Sequence, residues 1–509
     1  MRAASTPSTH LWPRGRPVAH ICAATLAALA VLAILADAVT GLGANAVPRD
    51  WSHQMSQVLA RTALAPRLQA PSAWAIIEPY SEGDLSTETG GNGGADADTP
   101  YLIGSLSKSL TAAATMRLAD SGVVRLDDPV SDYLPGFRSQ DAEPVTIAQL
   151  LSHTSGFTAA SGRDAIADPT LSIAERAAGA NAAIRNPPSG TTSFEYSNLN
   201  YAILGAIIEA AGGEPFASFM EQELFTPLGM HGSSADHAVA QELAASGHLV
   251  AFGVPLPHRE TVPMGAAPDG YMVSTANDLA AFLRMLLRWG VADDGARVLS
   301  EESVRAVITD HAGASASGVA APDTTGYGFG WGTGGTAEHP IAAHVGRTEG
   351  YFAHAYLRQF AVHAVVVLQA ANGPLYDQTA PARFAVAGLE GSDRDDAAVE
   401  PAAVTAAIFL AFGAVAFGAV ALSSWLRKRR DVNAATGTSR RALWRAARDV
   451  CGAILIVLLW FIAAGAMFTG RPSLGTNPWL ASTELTLIVA GLALVLVVRA
   501  ARGWSKFRA

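Results

Sequence analysis

Four long apolar runs, each close to arginine, divide this chain of 509 residues and constrain its fold more than any other feature. They cover residues 18–36, 402–422, 450–468 and 479–498. A helix of about 20 apolar residues can cross the hydrocarbon layer of a membrane. We therefore predict an N-terminal signal or anchor segment over 1–49, a water-exposed domain over 50–398, and a membrane region over 399–509 with three transmembrane helices. Glu484 lies inside the fourth run, so whether that run crosses the bilayer stays open.

The basic residues beside these runs predict the orientation of the chain. The loop 427–448 holds eight Lys and Arg and the tail after 498 holds four, whereas the loop 470–482 holds only Arg471. Basic loops stay on the cytoplasmic side. This predicts a multi-pass plasma-membrane protein whose 50–398 domain lies outside the cytoplasm, with the lipid bilayer as a partner. The first run is either an anchor or a signal peptide cleaved after Ala46, and both leave that domain outside.

The charge and cysteine content of the 50–398 block exclude several classes of function. It holds 39 acidic and 18 basic residues, a net charge of −21. Nucleic-acid binding needs positive charge facing the phosphates, so we exclude it. The two cysteines, Cys22 and Cys451, lie in apolar runs outside the block. The block therefore has neither a disulfide framework nor a cysteine-based metal site.

Hydrophobic periodicity indicates a mixed domain. Strand patterns occur near its start and near its end, at 73–78, 328–331, 344–358 and 361–370. Helical patterns lie mainly between them, at 105–122, 201–211, 277–289 and 379–389. A Gly-rich segment at 90–94 reads as a loop. This order predicts an α/β or α+β domain whose first and last segments share a sheet.

Ser105 and Lys108 at the start of the first long helix are the strongest chemical signal. Positions i and i+3 share a helical face, so the hydroxyl and the amine can meet. A serine needs a neighbouring base to become a nucleophile, and lysine, unlike arginine, can lose its proton. Lys108 is the only lysine in the 50–398 block, where the other 17 basic residues are arginine. A surface lysine present by chance is the alternative.

Two further motifs follow in order. Tyr196-Ser197-Asn198 precedes a helix, and a tyrosine hydroxyl close to a lysine can shuttle a proton. His344-Val345-Gly346 opens a predicted strand whose edge could pair with an extended substrate. Either motif alone is more often structural than functional. The string Leu-Leu-Ser-His-Thr-Ser-Gly at 150–156, with His153, reads as a helix end, and Tyr327 and Trp331 as core or pocket wall.

The three ordered motifs resemble those of the serine β-lactamase and penicillin-binding-protein superfamily, specifically its class C-related branch. Flanking strings are similar too, among them Leu-Asp-Asp-Pro at 126–129 and Tyr-Gly-Phe-Gly-Trp at 327–331. The resemblance covers about residues 55–390 and implies an α+β fold with a five-stranded antiparallel sheet, its helices and a helical lobe. An extracytoplasmic domain followed by three spans is similar in architecture to the pre-colibactin-type peptidases.

The resemblance also implies residue roles. Ser105 would be the nucleophile that forms an acyl-enzyme, and Lys108 and Tyr196 would share the proton transfers. Asn198, His344 and Gly346 would bind substrate, and the backbone N–H groups of Ser105 and Arg347 would form the oxyanion hole. No metal or organic cofactor is implied.

Two departures from the superfamily pattern shape the functional expectation. The Gly-rich segment appears in place of the second strand expected before the nucleophile helix. His344 stands where many relatives carry lysine, which favours esterases and D-amino-acid peptidases over β-lactamases, although Arg347 could supply the missing charge. We therefore predict a membrane-anchored serine hydrolase of small D-amino-acid peptides, amides or esters. A penicillin-binding sensor that turns over poorly and a class C-type β-lactamase are the alternatives.

Overall fold

The protein is described from a computed structural model that covers residues 70–389, apart from short gaps at 82–83, 138–143, 165–166, 184–192, 252–253, 314–315, 337–338 and 374–377. The predicted N-terminal segment and the three predicted C-terminal spans lie outside these residues, so they stay predictions. Within the described part, every helix is too short or too polar to cross a bilayer.

The described residues form eleven strands. In chain order they are β1 Ser72–Ser81, β2 Asp84–Asn92, β3 Tyr101–Leu102, β4 Gly247–Ala251, β5 Val254–His258, β6 Val273–Ser274, β7 Thr324–Tyr327, β8 Gly332–Gly335, β9 Pro340–Arg347, β10 Phe352–Arg358 and β11 His363–Gln369. Seven of them make one antiparallel sheet in the order β2-β1-β11-β10-β9-β8-β7. Because β1 pairs with β11, with Ser72 opposite Gln369, the prediction that the first and last segments share a sheet is confirmed.

The expectation that a glycine loop replaces the second strand is wrong. Strand β2 includes Gly90 and Gly91 and pairs with β1 along its length. Glycine is needed there because the Trp74 ring lies over the strand, and a Cβ atom on Gly90 would stand 2.4 Å from that ring. The turn that leaves β2 follows at Gly93 and Gly94, both with positive φ.

Two other strand predictions need correction. The segment 328–331 is the turn between β7 and β8, because Gly330 has a φ of 78° and its carbonyl accepts a hydrogen bond from Ser109 Oγ at 2.6 Å. The predicted strand 344–358 is two strands, β9 and β10, joined by a turn in which Thr348 N donates to Tyr351 O at 3.0 Å. The sheet accordingly has seven strands rather than the five implied by the resemblance.

The α-helices build the helical lobe and cover both faces of the sheet, most of them on the face that α1 covers. They are α1 Ser107–Asp120, α2 Ile147–Leu151, α3 Ala159–Asp164, α4 Ile173–Ala183, α5 Asn198–Gly212, α6 Phe216–Met220, α7 Thr226–Leu228, α8 His237–Leu243, α9 Ala276–Leu287, α10 Glu301–Ile308 and α11 Ala380–Leu389. Helix α1 is buried over almost its whole length, where small residues such as Ala112 and Ala114 let neighbouring elements approach closely. It lies in the main core, which also includes Ala353 and Val366 of the sheet.

The opposite face of the sheet is covered by α11. Trp74 and Ile76 of β1 and Val365 and Val367 of β11 pack there with Val386 of α11. Strands and helices thus segregate into an α+β domain, as predicted, and the sheet is covered on both faces. The end of β9 lies against the residues that precede α1, and this contact positions the candidate site.

Candidate active site

The predicted nucleophile, Ser105, lies in a single 3-10 turn, Gly104–Leu106, directly before α1. Two glycines bring this turn against the end of β9. A Cβ atom on Gly104 would stand 2.2 Å from Arg347 N, and one on Gly346 would stand 1.8 Å from the carbonyl oxygen of Ile103. Gly104 also has a φ of 52°, which suits glycine. The backbones of the first and third motifs are therefore in direct contact.

Lys108 is fully buried and makes three polar contacts through Nζ. Its Nζ lies 3.2 Å from Ser105 Oγ and 2.8 Å from Asn198 Oδ1, and it also donates to the carbonyl oxygen of Asp269. The two carbonyl-type oxygens can only accept hydrogen bonds. In the neutral amine both N–H bonds can point to them, which leaves the lone pair for the Ser105 hydroxyl.

Tyr196 and Asn198 come from the segment that leads into α5. Asn198 is the first residue of that helix, and its side-chain oxygen binds Lys108. The ring of Tyr196 lies over the amine, with Nζ 4.9 Å from the ring centroid. The residues predicted from the first and second motifs are thus brought together around one buried nitrogen.

His344 also faces this side of the sheet but is only 1% exposed. Its Nδ1 is 2.7 Å from the carbonyl oxygen of Val345 and its Nε2 is 3.2 Å from the hydroxyl of Tyr327. A neutral ring that donates from Nδ1 and accepts at Nε2 satisfies both contacts. Burial, aided by the charge of Lys108, lowers the pKa of His344 from 6.5 to about 3, so the ring is neutral at physiological pH.

Arg347, the last residue of β9, approaches the site with its backbone and not with its side chain. Successive residues of a strand face opposite sides, so Gly346 faces Ser105 and the Arg347 side chain faces away. Its guanidinium carbon lies 5.3 Å from the centroid of the Phe352 ring. The Arg347 N–H group, next to the Ser105 turn, is what this residue brings to the site.

The sequence analysis missed three residues that shape the site. His153, read as part of a helix end, lies with its ring centroid 4.4 Å from that of Tyr196. Tyr201 places its ring 5.7 Å from Lys108 Nζ. Asp269 supplies only a backbone carbonyl, and its carboxylate forms a buried ion pair with Arg176 at 2.7 Å. Tyr196 precedes helix α5, so no helical spacing links Tyr201 to it, and a backbone acceptor such as the Asp269 carbonyl leaves no sequence signal.

Within the described residues, no group of three or more His, Cys, Asp or Glu side chains is placed to hold a metal ion. The chemistry that the arrangement offers is that of a hydroxyl next to a buried amine, in a turn that lies against the backbone nitrogen of Arg347. Such a site suits acyl transfer through a serine ester. The fold and this site define a β-lactamase/transpeptidase-like serine hydrolase.

Comparison with known proteins gives the same class. The family described as Beta-lactamase matches residues 80–390, more than half of the chain, and this protein belongs to that family. The chain is 37% identical over 293 residues to penicillin-binding protein 4 of Amycolatopsis lactamdurans, an alignment that covers 54% of this chain and 73% of that protein. It is 26% identical to protein flp of Staphylococcus aureus (strain N315) over 55% of this chain and 54% of that one.

Solved structures agree on the fold. A penicillin-binding protein homologue from Pyrococcus abyssi superposes with a TM-score of 0.55 at 24% identity, covering 67% of this chain and 77% of that one. The D-amino acid amidase from Ochrobactrum anthropi SV3 superposes with a TM-score of 0.51 at 21% identity, covering 70% and 98%.

Proposed function

We propose that this protein is a membrane-anchored serine hydrolase of the class C-related branch that acts outside the cytoplasm on D-amino-acid amides, D-amino-acid peptides or small esters. One observation supports the proposed reaction above all others. The only lysine of the 50–398 block is buried with Nζ between Ser105 Oγ, Asn198 Oδ1 and a backbone carbonyl. The predicted spans and the basic loops that flank them support the location.

The acyl-enzyme forms in two proton-coupled events. Ser105 Oγ attacks the substrate carbonyl carbon while Lys108 accepts the hydroxyl proton, and the Ser105 and Arg347 N–H groups hold the oxyanion. The bond from that carbon to the leaving nitrogen or oxygen then breaks, and an amide leaving group takes a proton from Tyr196, which Lys108 reprotonates. Water attacks the serine ester by the reverse sequence and releases the acid.

The environment of the third motif favours a leaving group that carries no free carboxylate. His344 is neutral and engaged with Tyr327, and the Arg347 guanidinium lies over Phe352 on the opposite face of the sheet. Recognition of a free carboxylate next to the scissile bond uses a cation on the nucleophile side. We therefore favour amides and esters over substrates that end in a free carboxylate at that position.

The stereochemical part of the proposal follows the relatives. The fold neighbour from Ochrobactrum anthropi is a D-amino acid amidase, and one from Streptomyces is a D-stereospecific amidohydrolase. The 37% identity to a protein named penicillin-binding protein 4 favours a second candidate function, a penicillin-binding protein that is acylated and deacylates slowly.

The test uses the full-length protein purified in detergent, with Ser105→Ala as the matched control. D- and L-phenylalanine amide, p-nitrophenyl acetate and benzylpenicillin are supplied separately, and intact mass and product are recorded. We expect Ser105-dependent hydrolysis of the D-amide and the ester. A stable penicillin adduct without amide turnover would favour the second candidate, and rapid penicillin hydrolysis would restore the β-lactamase alternative. No reaction with any of the four compounds would reject the proposal.

A further inference from the structure

His153 combines a backbone conformation and a degree of burial that rarely occur together. Its φ is 57°, in the left-handed region that non-glycine residues seldom adopt, and the residue is only 1% exposed. A left-handed non-glycine residue is strained and persists only where its surroundings hold it.

His153 anchors the segment that carries the second motif. Its backbone carbonyl accepts a hydrogen bond from Glu195 N at 3.0 Å. Its Nδ1 faces Ser197 N at 3.3 Å and Asn200 Nδ2 at 2.8 Å. Both groups are donors, so Nδ1 is an acceptor and the proton of the neutral ring is on Nε2. Three contacts from one residue thus bracket Tyr196 on both sides along the chain.

The ring itself forms the wall behind Tyr196. The His153 ring centroid is 4.4 Å from that of Tyr196, 4.9 Å from that of Tyr327 and 5.2 Å from that of Tyr201. Burial, followed by the charge of Lys108, lowers the pKa of His153 well below its usual 6.5, so the ring stays neutral. A neutral ring can pack against Tyr196 without adding a positive charge beside Lys108.

We propose that His153 is a positioning residue that holds Tyr196 at the angle needed to protonate the leaving group. The proposal rests on the proposed function and extends it to a residue outside the three motifs. It makes a specific kinetic claim. When an amide substrate forms the acyl-enzyme, the C–N bond breaks and the leaving nitrogen must gain a proton from the Tyr196 hydroxyl. When p-nitrophenyl acetate forms it, the C–O bond breaks and p-nitrophenolate leaves without a proton.

The experiment compares the two leaving groups in the full-length protein. His153→Asn is the informative variant, because asparagine tolerates left-handed backbone and carries an acceptor near the position of Nδ1. We expect kcat/KM for D-phenylalanine amide to fall about 30-fold, less than the ~10²–10⁴-fold of a complete loss of general-acid catalysis, because the Tyr196 hydroxyl is still present but misplaced. The value for p-nitrophenyl acetate should fall by no more than about threefold, which is what loss of ring packing alone would cause.

A double-mutant cycle separates positioning from general damage. In a Tyr196→Phe background, His153→Asn should lower amide hydrolysis by less than about twofold, because the group it positions is already absent. His363→Asn, a buried histidine at the start of β11, is the matched control and should leave the ratio of the two rates unchanged. If His153→Asn does not fold, Asn200→Ser removes the amide donor to His153 Nδ1, together with the acceptor for Ser155 Oγ, and carries the same expectation.

The outcomes are distinct. An equal fall in both rates, or a full effect of His153→Asn in the Tyr196→Phe background, would show that His153 is structural and would overturn the proposal. Unchanged amide hydrolysis would overturn it as well. Failure of the unsubstituted protein to hydrolyse either compound would instead overturn the proposed function, and this arm needs no variant of His153.

Discussion

Removing either charge of the buried ion pair beneath Lys108 should destabilise the fold, whereas removing both charges together should not. Arg176 and Asp269 have side chains that are 0% and 2% exposed, and their closest atoms are 2.7 Å apart. Arg176 also donates to the carbonyl of Gly265, so the ion pair fixes the loop whose Asp269 carbonyl accepts the hydrogen bond from Lys108.

The magnitude follows from what each change leaves behind. Arg176→Met strands a buried carboxylate, which costs about 3–5 kcal/mol. Asp269→Leu strands a buried guanidinium at a similar cost. The double substitution removes both charges, and replacing a buried pair with apolar side chains is often neutral or stabilising by about 1–4 kcal/mol. For a domain of about 320 residues, 3–5 kcal/mol corresponds to a melting temperature lowered by roughly 5 °C.

Thermal unfolding followed by circular dichroism checks this, with Arg125→Met as the control. Arg125 pairs with Asp127 on the surface, where both side chains are more than 70% exposed, so its replacement should leave the melting temperature unchanged. Both single variants should also lose hydrolytic activity at temperatures where they are folded, because the loop that holds Lys108 shifts. A double variant as unstable as the two singles combined would refute the reasoning.

Three further predictions follow from the same geometry. The folded-state pKa values of His344 and His363 are about 3 and 4, below the usual 6.5, so the stability they support is complete above pH 6.5 and is lost as the pH falls toward those values. The free energy of unfolding, measured in urea, should fall by about 1.4 kcal/mol per pH unit for each group. His344→Asn should flatten the plot of this free energy against pH below pH 4. A flat plot for the unsubstituted protein would contradict the burial of both rings. Gly346→Ala should lower kcat/KM by about 100-fold, because its Cβ would overlap a backbone oxygen at 1.8 Å. Gly179→Ala, in open space on α4, should leave kcat/KM unchanged and the protein as stable or slightly more stable. Equal effects of the two substitutions on kcat/KM would contradict the close approach. Lys108→Arg should abolish acylation measured by intact mass, since arginine keeps its proton, and retained acylation would reject the lysine as base.

The parts of the fold that local pattern could predict are those whose partners are local. Helix α1 can be predicted because its apolar periodicity and Gly122, the glycine at which the pattern ends, lie within one segment. Strand β2 was missed because its Gly-rich sequence resembles a loop, and only the Trp74 ring from the neighbouring strand explains it. The turn at 328–331 was missed for the same reason, since its conformation depends on a hydrogen bond from α1.

The candidate site divides along a similar line. Ser105, Lys108 and Tyr196 can be predicted as site residues because their side-chain types suit acyl transfer and lysine is otherwise absent from the block. His153 cannot, because its place in the site depends on a left-handed backbone and on contacts with residues more than 40 positions later. The role of Asp269 rests on a carbonyl that every residue possesses, and no residue type distinguishes it.

The two glycines of the motifs show why spacing patterns can nevertheless carry three-dimensional information. Gly104 and Gly346 are separated by more than 240 residues, yet each lacks a side chain because the other's segment occupies that space. Any larger residue at either position would push the Ser105 turn and the end of β9 apart, and with them the backbone groups that we propose as the oxyanion hole. The glycine of the third motif therefore indicates the position of the first. Gly90 beneath Trp74 marks a similar close approach within the sheet.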